Sequence, residues 1–170
     1  MNTVLLFPTE TEARPLRACR PDLDIRICGV GAAQTARFMQ RMLAEERPEA
    51  VVLCGIAGAY EGSLRTGDTV AVVRERMAGV PPVFAEEYAA TMRFGGLTEV
   101  AANTVANVGA PADGAQVENM EGAVVFAVCE SAGVRCGEIR AVSNRVDDAR
   151  DKWDIPAALE NLTRVLTEMF

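Results

Sequence analysis

An α/β fold with a central sheet, largely parallel or mixed, follows from three observations on this chain. Strand-like and helix-like segments alternate along it. Several strand-like runs are apolar without alternation, as strands buried on both faces are. The helical segments carry apolar stripes, and such stripes pack on a sheet in layers.

Each element can be justified in order. Residues 3–7 (TVLLF) form a short strand, closed by Pro8, and TETEA then opens a helix. Residues 24–29 (DIRICG) alternate as a strand does and run into Gly29 and Gly31. Residues 32–47 are an amphipathic helix with Phe38, Met42 and Leu43 near one face. AVVLC at 50–54 is a buried strand that ends in GIAGA, and residues 68–73 (DTVAVV) are another strand rich in β-branched residues. Residues 74–104 hold Pro81, Pro82 and the pair Gly95–Gly96, without sustained periodicity. Residues 120–132 read as a helix apolar all round, stopped by Gly133, and 134–143 as a strand. Last, Ile155, Leu159, Leu162, Leu166 and Met169 recur at helical spacing after Pro156 opens the first turn.

Composition narrows the function. The 170 residues, 49% hydrophobic, suit one domain over 1–170 with a sizeable core, and 5% aromatic content makes that core aliphatic. A formal charge of −7 without any basic cluster argues against nucleic acid and anionic membranes as partners. The five cysteines (Cys19, Cys28, Cys54, Cys129, Cys136) include no CxxC spacing and read as reduced, which points to the cytoplasm. There is no signal-peptide pattern and no apolar stretch of about 20 residues. The chain has no histidine, which removes Ser–His and Cys–His nucleophiles and the usual zinc sites. No metal or cofactor is expected. Chemistry here runs on carboxylates, amides and backbone dipoles.

In open α/β sheets, ligands sit beyond the carboxyl ends of the strands. The polar oddities of the chain fall there: Glu10 and Glu12 after the first strand, GIAGA after the third, Ser143 and Asn144 after the last. Glu121 heads the apolar helix. An acid in a first turn can simply complement the helix dipole, worth ~0.3–1 kcal/mol, but four regions converging on one rim favour a site.

Three stretches carry a resemblance: VVLCGIAGAYEGSLRTGDTVAV, VENMEGAVVFAVC and EIRAVSNRVDDARDKWDIPAALENL. Together they resemble the purine nucleoside phosphorylase and nucleosidase superfamily, most of all its futalosine hydrolase family, across residues 1–75 and 104–170. The resemblance implies a three-layer nucleosidase-like fold, a mixed central sheet flanked by helices, with residues 76–104 shortened. It implies hydrolysis of a purine ribonucleoside, a small-molecule substrate, and a homo-oligomer. Glu12 matches the family's water-activating carboxylate, although Glu10 lies in the same segment. Glu121 matches the glutamate that binds ribose hydroxyls, with Asn119 and Met120 beside it. Gly55 and Gly58 of GIAGA let the backbone approach a substrate closely or take φ > 0, and with Ile56, Ala57 and Ser143 they are the further substrate-binding candidates.

Asn144 stands where the methylthioadenosine nucleosidases carry an aspartic acid that protonates adenine N7. An amide cannot do that, but its NH₂ can donate to N7 and O6 of a 6-oxopurine. Phosphorolysis and a non-catalytic nucleoside-binding role remain the alternatives. For phosphate, the nearest arginines, Arg26 and Arg65, are poorly placed. Phe84, Tyr88 and Phe94 are available as stacking groups for the base, or as core and contact residues.

Overall fold

The computed structural model describes residues 2–60, 62 and 64–170. The elements are β1 (Thr3–Phe7), α1 (Glu10–Cys19), β2 (Asp24–Ile27), α2 (Ala32–Glu45), β3 (Ala50–Ala59) and β4 (Thr69–Met77). Then come β5 (Glu87–Ala89), β6 (Thr98–Thr104), β7 (Val117–Asn119), α3 (Gly122–Ala132), β8 (Arg135–Arg145) and α4 (Ile155–Met169).

The sheet is mixed. β1 runs parallel to β2 and β3, and β3 parallel to β8. β8 pairs antiparallel with β4, β4 parallel with β6, β6 parallel with β7, and β7 returns antiparallel to β3. The strands β3, β8, β4, β6 and β7 thus close into a ring, with β1 and β2 extending from β3 and β5 lying on the edge of β4.

Strand alternation explains why helices cover both faces of the open part. On β1, Leu5 and Phe7 join one apolar cluster, completed by Leu16 of α1 and Leu159, Leu162 and Leu166 of α4. Val4 and Leu6 join the other, with Met39 and Met42 of α2 and Val125 and Phe126 of α3. A third cluster draws small residues from every strand of the ring, among them Ala57, Val70, Val100, Val117 and Val142, and fills its inside. Each Val, Leu, Ile, Phe or Met buried in these clusters contributes roughly 1.5–3 kcal/mol by leaving water.

The expected helices are present. α3 begins at Gly122 rather than at 120, and Gly133 ends it with φ of 65°, the left-handed conformation that glycine adopts without strain. Two segments differ from the expectation. GIAGA is not a loop: it continues β3 through Ala59. Residues 74–104 contain the end of β4, then β5 and β6. The alternation of β4 breaks because it carries an extra residue at Val73, so Val72 pairs Val100 while Arg74 pairs Ala101. A second irregularity lies in β8, where Ala57 pairs Val142 but Gly58 pairs Asn144, leaving Ser143 as the extra residue. Such bulges re-aim side chains, and both matter below.

Candidate active site

β1, β3 and β8 are parallel and end at one edge, where a cavity of about 230 Å³ opens. Glu12, Glu121 and Asn144 all line it, with Ser143 and Met120 beside them, and Ile56, Ala57 and Gly58 form its β3 wall. Three side chains distant in sequence are therefore brought together.

Glu12 is delivered by the turn between β1 and α1. Thr9 caps α1, its hydroxyl accepting from Glu12 N–H at 3.3 Å, and the same hydroxyl donates to Glu12 Oε2 at 2.5 Å. Oε1 accepts from Ile56 N–H at 3.1 Å. Burial raises the carboxyl's pKa above its ordinary value; the Thr9 and Ile56 hydrogen bonds and the Arg140 charge oppose that rise. Glu10, by contrast, is exposed and pairs with Arg17. Of these two acids, Glu12 is the one that enters the cavity.

Glu121 occupies the N-cap position of α3, yet its side chain makes no capping hydrogen bond. Asn119 does the capping: its Oδ1 accepts from Glu121 N–H at 2.9 Å and Gly122 N–H at 2.8 Å, and Thr104 Oγ1 accepts from Ala123 N–H at 2.7 Å. Glu121 Oε1 instead accepts from Gly31 N–H at 3.0 Å and Oε2 from Arg140 Nη2 at 3.2 Å. A carboxylate has about four acceptor sites, so each oxygen can still take a hydroxyl from a ligand. Asn119 also lines the cavity, and one N–H of its Nδ2 donates to Glu75. Through its Oδ1, Asn119 positions the backbone that carries Glu121.

The β8 bulge presents Ser143 and Asn144 together. Ser143 Oγ donates to Asn144 Oδ1 at 2.8 Å, and Asn144 Nδ2 donates to the Arg145 carbonyl at 2.7 Å. One N–H of that amide remains for a ligand acceptor. Gly55 does not line the cavity. A Cβ there would lie 2.7 Å from Arg140 Nη1 and 2.8 Å from Glu12 Oε1, so glycine makes room behind the cavity wall instead of admitting substrate. Neither Gly55 nor Gly58 takes positive φ.

Sequence reasoning missed Arg140. It is fully buried: Nε donates to Glu138 Oε1 at 2.7 Å, Nη1 to the Ile56 carbonyl at 3.2 Å, and Nη2 to Glu121. Burial works against its charge, but the Glu138 and Glu121 carboxylates outweigh it, and the guanidinium stays charged. The available signal was the pattern Glu138–Ile139–Arg140–Ala141, two ionisable residues alternating through a buried strand. Arg26 is held by Asp24 and Glu46, and neither it nor Arg65 lines the cavity.

Nor do Phe84, Tyr88 or Phe94: Phe94 packs edge-on against Phe170 in the core, and Phe84 is exposed. Trp153 is the aromatic residue that lines the cavity among the described residues. The Arg150 guanidinium lies over its ring, 4.1 Å from the centroid, at the cavity mouth. Val30 and Val108, both partly exposed, complete that mouth.

A family model described as the phosphorylase superfamily matches residues 88–170. The chain is 34% identical to the futalosine hydrolase of Acidothermus cellulolyticus, with 82% of this chain and 71% of the relative aligned. It is 31% identical to the futalosine hydrolase of Thermus thermophilus, with 83% and 78% aligned. Among solved structures, a futalosine hydrolase mutant of Helicobacter pylori superposes with a TM-score of 0.87 over 98% of this chain and 97% of that one. At 15% identity that likeness speaks to the fold, a mixed sheet flanked by helices. The chain belongs to the futalosine hydrolase family.

Proposed function

We propose that this protein hydrolyses the N-glycosidic bond of a 6-oxopurine ribonucleoside, futalosine. It would release hypoxanthine and the dehypoxanthinyl ribosyl product, a step of menaquinone biosynthesis. The observation that carries this reading is the meeting of Glu12, Glu121 and Asn144 at one cavity, with acceptor or donor capacity left on each.

In this reading the ribose hydroxyls donate to Glu121, which orients the sugar by charge-assisted hydrogen bonds. The base lies toward Asn144, whose free N–H meets N7 or O6. As the bond from C1′ to the base lengthens, positive charge grows on the sugar and the bonding pair moves to the purine. Water attacks C1′ and gives its proton to Glu12, the usual ~10²–10⁴-fold contribution of a general base. The protonated purine leaves with a proton taken from solvent, since Asn144 has none to give.

Phosphorolysis has less support. Arg140 is already committed to Glu138, Glu121 and the Ile56 carbonyl, so the buried cation of the cavity is not waiting for an anion. We take residues 1–170 as one nucleosidase-like domain, cytoplasmic and homo-oligomeric. Four buried, unbridged cysteines support a reducing compartment, and the apolar mouth supports cover by a second copy. The test is to incubate the protein with futalosine, inosine and methylthioadenosine, with and without inorganic phosphate, and to follow free base. Release from futalosine that ignores phosphate is expected; a phosphate requirement would select phosphorolysis, and no release from any nucleoside would select the binding role.

A further inference from the structure

Two carboxyl groups that touch no part of the cavity lie behind it. Glu75 on β4 and Glu138 on β8 are 1% and 0% exposed. Glu138 Oε1 accepts from Arg140 Nε at 2.7 Å, whereas Oε2 meets no ordinary N–H or O–H donor among the described residues. Glu75 Oε2 accepts from the Thr104 hydroxyl at 2.8 Å, and Oε1 from the Asn119 amide. The open oxygen of Glu138 and the Glu75 carboxyl meet at one point, beside the α carbon of Gly122. Both press on Gly122, where a Cβ would lie 2.7 Å from Glu138 Oε2 and nearer still to Glu75 Oε1.

The backbone arranges this meeting. Val70 and Val72 face the inside of the ring. Regular alternation would send Arg74 there next and turn Glu75 away. The extra residue at Val73 shifts the phase, so that Glu75 pairs Ala102, itself on the inner face with Val100. On β8, Glu138 and Arg140 share the parity of Val142, another inner residue. The bulge therefore delivers Glu75 to Glu138 and to the caps of α3.

Two ionised carboxylates cannot share so dry a place, because each would lack compensation for its lost hydration. The groups facing Glu75 are Glu138 and Arg140 from β8, Thr104 from β6 and Asn119 from β7, with Glu121 beyond the start of α3. The single cation touches Glu138 and not Glu75. Glu138 is thus the member that keeps its charge. Burial, and then the Glu138 charge, push the Glu75 carboxyl well above the ordinary carboxylate range, against the pull of Asn119, Thr104 and Arg140.

We propose that Glu75 is a neutral positioning residue: it keeps its proton, donates it in a hydrogen bond to Glu138 Oε2, and so holds Glu138 against Arg140, which in turn orients Glu121. A neutral acid satisfies Glu138 without adding a further negative charge around one arginine. The same side chain, through Asn119 and Thr104, steadies the end of α3 that presents Glu121.

The test has two arms, and only the kinetic one rests on the nucleosidase reading above. Infrared spectra of the wild type at about pH 8, far above the ordinary carboxyl range, should contain the carbonyl stretch of a protonated buried acid, moved by deuterium exchange and absent in Glu75→Gln. In the kinetic arm, Glu75→Gln keeps a donor toward Glu138 and should retain kcat within about threefold, while Glu75→Leu, which leaves that oxygen unpaired, should lose about tenfold or more. No such band in the wild type, a band that survives Glu75→Gln, or a Gln variant as impaired as the Leu variant would each overturn the proposal. If no nucleoside is turned over, the infrared arm still decides it; if Glu75→Leu fails to fold, the Gln variant and the band remain.

Discussion

What Glu12 can do depends on how its two oxygens are shared. A general base must be ionised, and burial makes ionisation harder than for an ordinary glutamate, whose pKa is near 4.5. Activity should therefore rise with pH along a limb placed above 4.5, and flatten once Glu12 has lost its proton. The Thr9 hydroxyl favours the ionised form. Replacing it in Thr9→Val should move that limb to higher pH in a kcat/KM profile, and should cost ~0.5–2 kcal/mol of stability through the lost cap. A limb that stays in place would detach Thr9 from the chemistry. The choice between Glu10 and Glu12 was not readable from spacing, because both fall in one helical turn; the cap at Thr9 and the Ile56 N–H make it. Asn144 was readable, since an amide has a donor count that the sequence alone states. Arg140 was not, because its role exists only through partners on β3 and α3.

The element that does most to shape the cavity is β3. Its first half is an apolar strand evident from AVVLC, but the second half looks like a glycine loop in sequence and is strand in space. The glycines there serve close packing: Gly55 leaves the gap that Arg140 and Glu12 fill. In Gly55→Ala the new methyl must displace one of two charged side chains held by hydrogen bonds. We expect kcat to fall by about tenfold or more with a destabilisation of ~1–3 kcal/mol, typical of an overpacked interior. Wild-type kinetics in that variant would mean that the gap has no bearing on function. The α3 N-terminus was only half legible. Glu121 stood out as an acid before an apolar run, yet only Asn119 and Thr104, contributed by β7 and β6, reveal that capping is already done by others. α4 was legible throughout, because a solvent-facing helix on a sheet keeps a clean apolar stripe.

For the molecule as a whole, closing five strands into a ring creates an interior that is apolar at Val70, Val100 and Val117 and ionisable at Glu75, Glu138 and Arg140. The alternation of strands and helices made the layers predictable, whereas ring closure was not, since it depends on β6 and β7 pairing across a stretch with no periodicity. This interior has a thermodynamic signature. Glu12, Glu75 and Glu138 all have folded-state pKa values raised above 4.5. Well below 4.5 both states hold these protons and no penalty arises. As pH rises past 4.5 the unfolded chain releases protons that the folded one retains, so stability declines until the folded-state values are passed. Thermal unfolding should therefore show Tm falling with rising pH over this window, with a shallower fall in Glu75→Gln. An identical slope in the variant would place the retained proton elsewhere.

The whole account requires one nucleoside to lie against all three predicted side chains at once. A crystal structure of the Glu12→Gln variant soaked with futalosine would examine that directly. The expected result is an intact nucleoside with ribose hydroxyls on Glu121, the purine edge on the Asn144 amide, and the replaced side chain beside a water below C1′. A nucleoside bound elsewhere, or one in this cavity with its sugar turned away from Glu121, would contradict it.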